Sequence, residues 1–238
     1  MNRILLMVLR NFWKVPGAFF KLCRYAKNPD KYPEEERYGH IQYIMKTAVD
    51  SGNIELIVSG EENIPQKDGF LIISNHQGLF DIMALAATCK RPWAAVLKKE
   101  LYNIPFMKQI VDCTKSFPMD REDIRQSMGV IMSVIKELKA GRNYLIFPEG
   151  TRSKKGNEMI EFHSGSFKCA LKAKCPIVPI ALVDCFKVLD QKNSKQVKVQ
   201  ISYLEPIYYD EYKDMNTTEL ANMVKARIQK RINSLENQ

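Results

Sequence analysis

The strongest constraint on the fold is an alternation, from residue 54 onward, of short apolar runs with longer stretches whose apolar residues recur every three or four positions. The short runs predict strands and the periodic stretches predict helices. The predicted strands cover residues 54–58, 70–73, 93–97, 116–119, 144–147, 177–182 and 197–203, the last as an edge strand. The predicted helices begin near residue 81 and cover 125–140, 164–174 and 217–235. This order predicts an α/β fold with a mixed, mainly parallel sheet flanked by helices.

The N-terminal 27 residues combine apolar side chains with basic residues that interrupt them. The apolar runs are far shorter than the roughly 20 residues that a membrane-spanning helix needs. At helical spacing the basic residues fall on one stripe, which predicts an amphipathic helix, bent or broken at Pro16 and Gly17, that turns its basic side toward anionic headgroups. These residues are Arg3, Arg10, Lys14, Lys21 and Arg24. The alternative is an amphipathic helix packed against the protein's own core.

A polar connector is predicted next, at residues 28–36, followed by a short helix at 38–50 with His40 at the surface. The chain is therefore expected to divide into an N-terminal interfacial helical segment, residues 1–50, and a larger domain, residues 51–238. Hydrophobic residues make up 45% of the sequence, which is enough for the second segment to bury a sizeable core.

Charge and cysteine usage restrict the expected partners and compartment. The net charge of +9 favours partners that carry phosphate, which include lipid headgroups, nucleic acids and phosphorylated small molecules. The six cysteines are scattered, without a CxxC pair and without a secretory leader before them. This pattern favours reduced thiols in a cytoplasmic compartment and argues against a zinc site.

A histidine and an aspartate lie five residues apart just after the predicted strand 70–73. His76 follows the end of the strand, and Asp81 opens a run rich in alanine and leucine, where an aspartate suits a helix N-terminus. On one continuous helix these side chains would point about 140° apart, but the turn between them allows His76 to fold back onto the carboxylate. A carboxylate that accepts from one imidazole nitrogen fixes the tautomer and leaves the other nitrogen as a base. The pair is a candidate catalytic dyad.

A second polar group follows the predicted strand 144–147. Gly150, Thr151 and Arg152 offer backbone N–H groups, a hydroxyl and a guanidinium, a combination that can hold a phosphate. The alternative for this segment is an ordinary solvated loop. Lys98 and Arg121 also follow predicted strands, and each is either a surface charge or a further phosphate ligand. Because open α/β sheets bind ligands at strand ends, we expect these polar residues to share one edge of the sheet with the loop that contains His76.

In this order and spacing, four blocks of sequence resemble the glycerolipid acyltransferases of the lysophosphatidic acid acyltransferase type. The blocks are His76 and Asp81 with Asn75 ahead, Lys98-x-x-Leu101-x-x-Ile104-Pro105 with Arg121, residues 147–153, and residues 176–179. The resemblance implies transfer of a fatty acyl group from acyl-CoA or acyl-carrier protein to the free sn-2 hydroxyl of 1-acylglycerol 3-phosphate, giving phosphatidic acid. Gly78 departs from the pattern, since the family often has serine there.

The resemblance also implies roles for these residues. His76, held by Asp81, would act as the base of a direct attack, because the sequence has no Gly-x-Ser-x-Gly elbow for a covalent route. The residues expected to hold the acceptor phosphate are Gly150, Thr151 and Arg152, followed by Lys98 and Arg121. Glu149 is expected to orient the acceptor or the adjacent loop. His76→Ala is expected to abolish transfer and to change the free energy of unfolding by at most about 1 kcal/mol.

Other functions remain open at this point. The same chemistry could act on glycerol 3-phosphate, on another lysophospholipid or on a lipid A type sugar. The net charge also fits a nucleic-acid-binding protein, although no recognisable nucleic-acid-binding motif is present. We expect a lysophospholipid acceptor, an acyl-CoA or acyl-carrier protein donor and a membrane surface as partners, no nucleic acid, and no metal or other cofactor. The expected location is the cytoplasmic face of a membrane, as a peripheral or monotopic protein.

Overall fold

A single mixed sheet forms the centre of the molecule in the computed structural model, which describes residues 3–237; Met1, Asn2 and Gln238 of the two predicted segments lie outside the described residues. Its strands are β1 (Ile54–Ser59), β2 (Leu71–Ser74), β3 (Ala94–Lys98), β4 (Phe117–Met119), β5 (Tyr144–Ile146), β6 (Ile177–Val183) and β7 (Val197–Tyr203). Within the described residues they pair in the order β1-β7-β6-β2-β5-β3-β4. β6 and β7 are antiparallel, and the other neighbours are parallel. The predicted mixed, mainly parallel sheet is confirmed.

Helices cover both faces of this sheet. They are α1 (Arg3–Arg10), α2 (Val15–Lys27), α3 (Glu34–Ser51), α4 (Asp81–Thr88), α5 (Met107–Thr114), α6 (Ile124–Lys139), α7 (Lys168–Ala173), α8 (Phe186–Leu189), α9 (Tyr209–Tyr212) and α10 (Thr217–Glu236). Because successive strand residues point to opposite faces, Ile72 packs in one hydrophobic cluster with Ile41 of α3, and Ile73 packs in the other with Val224 of α10. Each such buried aliphatic side chain contributes roughly 1.5–3 kcal/mol.

The direction of the strands decides where the polar loops meet. β2, β3, β4, β5 and β6 all run the same way, so their carboxyl ends lie at one edge of the sheet. That edge carries the loops that follow residues 74, 98, 119, 146 and 183. The expectation that the His76 loop and the loop of Gly150, Thr151 and Arg152 share an edge is confirmed.

The prediction that residues 197–203 form an edge strand was wrong. β7 lies inside the sheet, paired with β1 along residues 197–202 and with β6 over its last residues, and β1 and β4 are the edges. The alternation of polar and apolar residues in β7 reports which face of the sheet each side chain occupies. It carries no information about backbone pairing, which uses the N–H and C=O groups that every residue has.

Two predicted helices also have clearly different bounds in the structure. The helix expected at 38–50 begins earlier, at Glu34, and the helix expected at 164–174 is a 3-10 turn (Ser164–Phe167) followed by α7. Helix α5 was not predicted at all. Gly141 follows the end of α6 in the left-handed conformation (φ 87°), which is the usual role of glycine at a helix C-terminus.

The N-terminal helices are arranged differently from the predicted bent helix. The break lies between residue 10 and residue 15, and Pro16 falls in the first turn of α2, where its missing N–H costs nothing. Arg3 is buried and donates to the carbonyl oxygens of Gly52 (2.6 Å) and Val188 (2.9 Å). Its charge therefore faces the protein. The prediction that the whole basic stripe faces outward was wrong for Arg3, because its guanidinium is buried against these carbonyl oxygens instead of lying at the surface.

Many apolar side chains of the same helices and of the turn between them point outward. We call them the α1–α2 apolar surface: Ile4, Leu5, Val8, Leu9, Phe12, Trp13, Phe19 and Phe20 are all exposed. His40, predicted at the surface, is buried instead, with Nε2 donating to the carbonyl oxygen of Ala18 (2.8 Å) where α2 packs on α3. Among the described residues, no helix combines the length and the apolar character that crossing a bilayer would require.

Candidate active site

The histidine loop, residues 75–81, begins at Asn75, whose side chain forms hydrogen bonds to β6 that resemble those of a paired strand. Asn75 follows the last residue of β2, and its side-chain amide donates to the carbonyl oxygen of Leu182 (2.9 Å) while accepting from the N–H of the same residue (2.8 Å). The side chain therefore continues the β2–β6 pairing while the backbone turns away. A buried amide with both groups satisfied fixes the position at which the loop begins.

The predicted dyad is present as a direct contact. His76 Nδ1 lies 2.7 Å from Asp81 Oδ2. The Asp81 carboxylate is fully buried and also accepts from the backbone N–H groups of Gln77 (2.6 Å) and Gly78 (3.0 Å). As the first residue of α4, it further lies where the helix dipole favours a negative charge. With Nδ1–H donated to this carboxylate, Nε2 of the neutral ring carries the lone pair that a base needs.

The imidazole is fixed on its other side by an aromatic ring. His76 stacks on Phe147, with ring centroids 4.2 Å apart and planes inclined by 19°. The His76 side chain retains 20% of its exposure, and its Nε2 makes no hydrogen bond within residues 3–237. The ring is therefore held at one nitrogen and on one face, and the second nitrogen is open to an incoming group.

Glu149 holds the loops together. Its buried carboxylate accepts from the backbone N–H of His76 (2.7 Å) through one oxygen and from that of Ile160 (3.0 Å) through the other. Burial raises the pKa of Glu149 above its ordinary value, and the two backbone hydrogen bonds partly oppose the shift. Of the two roles expected for this residue, the contacts are those of a group that orients the histidine loop.

Gly150 lies between two side chains that carry or can carry positive charge. It has a left-handed backbone (φ 69°), and a Cβ at this position would lie 3.0 Å from His163 Cδ2 and 3.8 Å from Arg121 Nη1. A larger residue would be strained and would push His163 away. The glycine thus lets Arg121 and His163 approach the same point at the sheet edge, next to the dyad's loop.

Arg152 is linked to the histidine loop through a residue that the sequence did not identify. Asp190 pairs with Arg152 Nη1 through one carboxylate oxygen and accepts from the Leu79 N–H (3.0 Å) through the other. The second oxygen occupies the space into which a Cβ at Gly78 would project, and Phe186 Cα would lie 2.9 Å from that Cβ. This packing explains why Gly78 departs from the serine that the family often has: Asp190 fills the place.

Two predicted residues stand apart from this cluster. Lys98 pairs with Glu100 (3.2 Å) at the end of β3, and the exposed Thr151 makes no side-chain hydrogen bond among the described residues. Lys99, next to Lys98, pairs with Asp120. Lys98 and Thr151 therefore share the sheet edge with the dyad without contacting it.

The five buried cysteine side chains are poor candidates for a nucleophile. Cys185 is buried beside Asp81, and burial first, with the neighbouring carboxylate second, raises its pKa well above the ordinary value. Burial also raises the pKa of Cys113 to about 11 and that of Cys89, Cys169 and Cys175 to about 12. These thiols stay protonated at neutral pH, and a thiol is a far weaker nucleophile than a thiolate.

Three functional candidates were missed at the level of sequence. Phe147 was included in a matching block, but the block gives no hint that its ring stacks on His76. His163 was one of only three histidines in the chain, and that scarcity was the available signal. No signal in the sequence identified Asp190, because it is 38 residues from Arg152 and belongs to no motif.

Comparisons with known proteins identify the family of this chain. A family model described as Acyltransferase matches residues 55–183. The 1-acyl-sn-glycerol-3-phosphate acyltransferase of Borreliella burgdorferi is 33% identical over 138 residues, which are 58% of this chain and 55% of that protein. The enzyme of the same description from Escherichia coli is 29% identical over 167 residues, 70% of this chain and 68% of that protein. The chain thus spans about half the length of the first relative and about two thirds of the second.

A solved structure shows the same architecture. The crystal structure of the 1-acyl-sn-glycerophosphate (LPA) acyltransferase PlsC from Thermotoga maritima superimposes with a TM-score of 0.81, covering 98% of this chain and 96% of that one. Its sequence identity is 21%, so the likeness is one of fold. The family match covers more than half of the described chain and includes the histidine loop, Glu149 and Arg152. The chain belongs to the Acyltransferase family.

Proposed function

We propose that this protein transfers a fatty acyl group from an acyl thioester to the sn-2 hydroxyl of 1-acylglycerol 3-phosphate and so forms phosphatidic acid. The observation that carries the proposal is the contact between His76 and Asp81, with Nε2 left open at the sheet edge. The names of the relatives support the choice of acceptor, since each is described as a 1-acyl-sn-glycerol-3-phosphate acyltransferase.

The proposed reaction is a direct displacement. His76 Nε2 takes the proton of the acceptor hydroxyl as its oxygen attacks the thioester carbonyl carbon. The carbon–sulfur bond then breaks, and the leaving thiolate takes the proton back from the imidazolium. Asp81 stabilises the charged ring and keeps Nδ1–H in place. A positioned base of this kind contributes roughly 10² to 10⁴-fold to the rate. The step needs no cofactor other than the thioester cosubstrate.

The acceptor phosphate is assigned to the cationic side of the site. Arg152 and Arg121 supply guanidinium groups, Gly150 supplies a backbone N–H, and Thr151 and Lys98 border the same edge. A guanidinium can hold a phosphate through two parallel hydrogen bonds, which fixes the orientation of the substrate as well as its position. Holding the phosphate there would place the neighbouring hydroxyl against His76, and such positioning supplies much of the rate of acyl transfer.

We further propose that residues 1–50 form an interfacial segment and residues 51–238 the catalytic domain. The exposed side chains of the α1–α2 apolar surface support contact with a lipid surface, where both the acceptor and the product reside. The contact would be made mainly by α1, α2 and the turn between them, which carry these exposed side chains, whereas α3 contributes Ile41, Met45 and Val49 to the hydrophobic cluster of the sheet. Such a protein would sit on the cytoplasmic face of a membrane as a peripheral or monotopic enzyme.

An acyl-transfer assay with matched acceptors and donors tests the proposal. Radiolabelled acyl-CoA and acyl-carrier protein are each offered with 1-acylglycerol 3-phosphate, glycerol 3-phosphate and a lysophospholipid whose phosphate carries a headgroup. We expect turnover with 1-acylglycerol 3-phosphate and its loss in His76→Ala. Turnover confined to another acceptor would keep the chemistry and replace the substrate. Binding to DNA without transfer to any acceptor would contradict the proposal and favour a nucleic-acid-binding protein.

A further inference from the structure

A cleft of about 640 Å³ lies between α2 and α3, away from the candidate active site. Its lining includes Trp13, Lys14, Gly17 and Lys21 on the α2 side and Gly39 and Tyr43 on α3. The volume is within the range of pockets that bind small ligands, roughly 300–1,000 Å³. The acyl-transfer mechanism uses none of these residues.

Two glycines keep the cleft open. Gly17 lies in α2 and Gly39 in α3, and a Cβ at either position would have no atom within 4 Å. Neither residue has a positive φ. Glycine inside a helix is destabilising relative to alanine, so these positions weaken the helices without a packing or backbone reason. The space that they leave is the cleft itself.

The cleft carries a net positive charge, because two lysines and one carboxylate line it. Lys14 and Lys21 are two helical turns apart on the same side of α2, both are exposed, and neither forms an ion pair within the described part of the chain. Lys21 Nζ lies 5.5 Å from the centre of the Tyr25 ring. Glu36 is the carboxylate that lines the cleft, and its Oε1 already accepts from the Tyr25 hydroxyl (2.6 Å). The N-terminus of α2 has no side-chain cap and adds a partial positive charge at the same place.

Aromatic rings border the cleft where it meets the α1–α2 apolar surface. Trp13 is 90% exposed and Tyr43 is 48% exposed. Trp13 also belongs to the apolar surface and contacts Phe12 edge to face, with ring centroids 5.3 Å apart. Tryptophan and tyrosine are the side chains that concentrate at the headgroup level of membranes. A ligand in the cleft that carries an apolar chain would therefore have that chain beside exposed phenylalanine.

We propose that this cleft binds the phosphate of an anionic phospholipid headgroup while the lipid remains in the bilayer that the α1–α2 apolar surface contacts. Lys14 and Lys21 hold the phosphate, and the open space above Gly17 and Gly39 accommodates the glycerol or headgroup. The proposal rests on the membrane contact proposed above and is independent of acyl transfer. It adds a preference for anionic lipid to a contact that the apolar surface alone would make with any bilayer.

Vesicle flotation with two pairs of matched variants tests this site. Gly39→Leu fills the cleft without changing charge, and Gly129→Leu is its control, because Gly129 is a helical glycine of α6 that also has nothing within 4 Å. The double variant of Lys14→Gln and Lys21→Gln removes the cleft's charge, and the double variant of Lys27→Gln and Lys31→Gln removes equal charge nearby. Leucine is a better helix former than glycine, so both filling variants should fold.

Each variant is floated with phosphatidylcholine vesicles and with vesicles that also contain phosphatidic acid. We expect Gly39→Leu to lose the preference for anionic vesicles, and Gly129→Leu to keep it. The Lys14 and Lys21 double variant should bind anionic vesicles about tenfold more weakly, since each lysine at an anionic surface contributes a severalfold effect. The Lys27 and Lys31 double variant should change less. All variants should still bind neutral vesicles through the apolar surface.

The outcomes separate the two proposals. If Gly39→Leu and the Lys14 and Lys21 double variant behave like their controls, the headgroup site is refuted and the membrane contact stands. If the parent protein binds neither vesicle, the membrane contact is refuted and the headgroup site with it. Displacement of the protein from anionic vesicles by inorganic phosphate at constant ionic strength, matched with chloride, would assign the cleft to free phosphate and overturn the lipid assignment.

Discussion

Replacement of Asp81 by asparagine tests the site most sharply, because the change removes one charge and alters no side-chain volume. The Asp81 carboxylate accepts from His76 Nδ1–H and from the N–H groups of Gln77 and Gly78. Asparagine offers one acceptor oxygen and one NH₂ group. All three donors reach Oδ2, so an amide oxygen there could accept them, but the NH₂ group would then replace Oδ1. It would lie about where Oδ1 is now, 3.1 Å from the Gly78 nitrogen, so that two donors would face each other in a fully buried position.

The expected loss of stability follows from these contacts. A hydrogen bond to a charged group contributes roughly 1.5–3 kcal/mol, and Asp81→Asn weakens at least two of them. Removing the charge also removes the cost of burying it, so we expect a net loss of about 3 kcal/mol in the free energy of unfolding. His76→Ala should cost about 2 kcal/mol, because it removes one of these bonds and the stacking on Phe147. The loss of at most about 1 kcal/mol expected from sequence assumed that a loop residue carries little packing and did not include the stacking on Phe147.

The expected loss of activity is larger. An asparagine can turn its NH₂ group toward Nδ1, which favours the tautomer that holds its proton on Nε2, where the ring no longer acts as a base. We expect turnover at saturating acceptor and donor to fall by roughly 10² to 10⁴-fold in Asp81→Asn. Radiolabelled acyl transfer measures this loss, and urea unfolding followed by circular dichroism measures the stability.

Asp112→Asn is the matched control. Asp112 lies in α5, and its carboxylate accepts a hydrogen bond from the neutral Tyr102 hydroxyl (2.9 Å). It should change stability by less than about 1.5 kcal/mol and leave turnover unchanged. Turnover of Asp81→Asn within tenfold of the parent would refute the dyad. A stability loss no greater than that of Asp112→Asn would refute the role of the carboxylate in holding the loop.

Three further predictions concern residues around the dyad. Arg152→Ala should raise the apparent KM for the acceptor about 10 to 100-fold with little change in the KM for the donor, as the loss of a charge-assisted bond implies; a change confined to the donor would reverse the assigned roles. Gly78→Ser should destabilise the protein by about 1–3 kcal/mol because its Cβ would meet Asp190, whereas Gly165→Ser, with nothing within 4 Å, should cost little in the same unfolding assay. Glu149→Gln should gain stability relative to the parent as pH rises. The raised pKa of Glu149 means that the folded protein holds this proton more tightly than the unfolded chain, so its contribution is present below the ordinary pKa and is lost as pH rises through the raised value. Urea titrations from pH 4 to 8 would contradict this if the difference between the two proteins stayed constant.

The chemistry of the site was largely readable from local sequence. His76 and Asp81 are five residues apart, and the turn between them belongs to one strand–loop–helix unit, so their contact depends on short-range geometry. The common edge followed from the parallel strand order, since each loop comes directly after a strand. Glu149 was readable as a motif residue, but its two candidate roles separated only when its hydrogen bonds to His76 and Ile160 were known.

Contacts between distant segments were not readable in this way. Arg3 resembled every other arginine of the N-terminal helices, yet it is buried against Val188, 185 residues away. Asp190 belongs to no motif, yet it pairs with Arg152 and occupies the space beside Gly78. In each case the residue's role depends on which surface happens to face it, and that is decided only when the helices dock on the sheet.

The amino-acid sequence by itself determined the α/β class, the succession of strands and helices and the residues of the dyad. These depend on periodicity and turn chemistry within about ten neighbouring residues, where the chain's own geometry limits the choices. The tertiary structure alone decided that β7 lies inside the sheet, that Arg3 faces inward while the α1–α2 apolar surface faces outward, and that Asp190 joins Arg152 to the histidine loop. Strand order and long-range pairing depend on which faces pack together when the chain folds. The type of an individual residue does not indicate which distant surface it will contact.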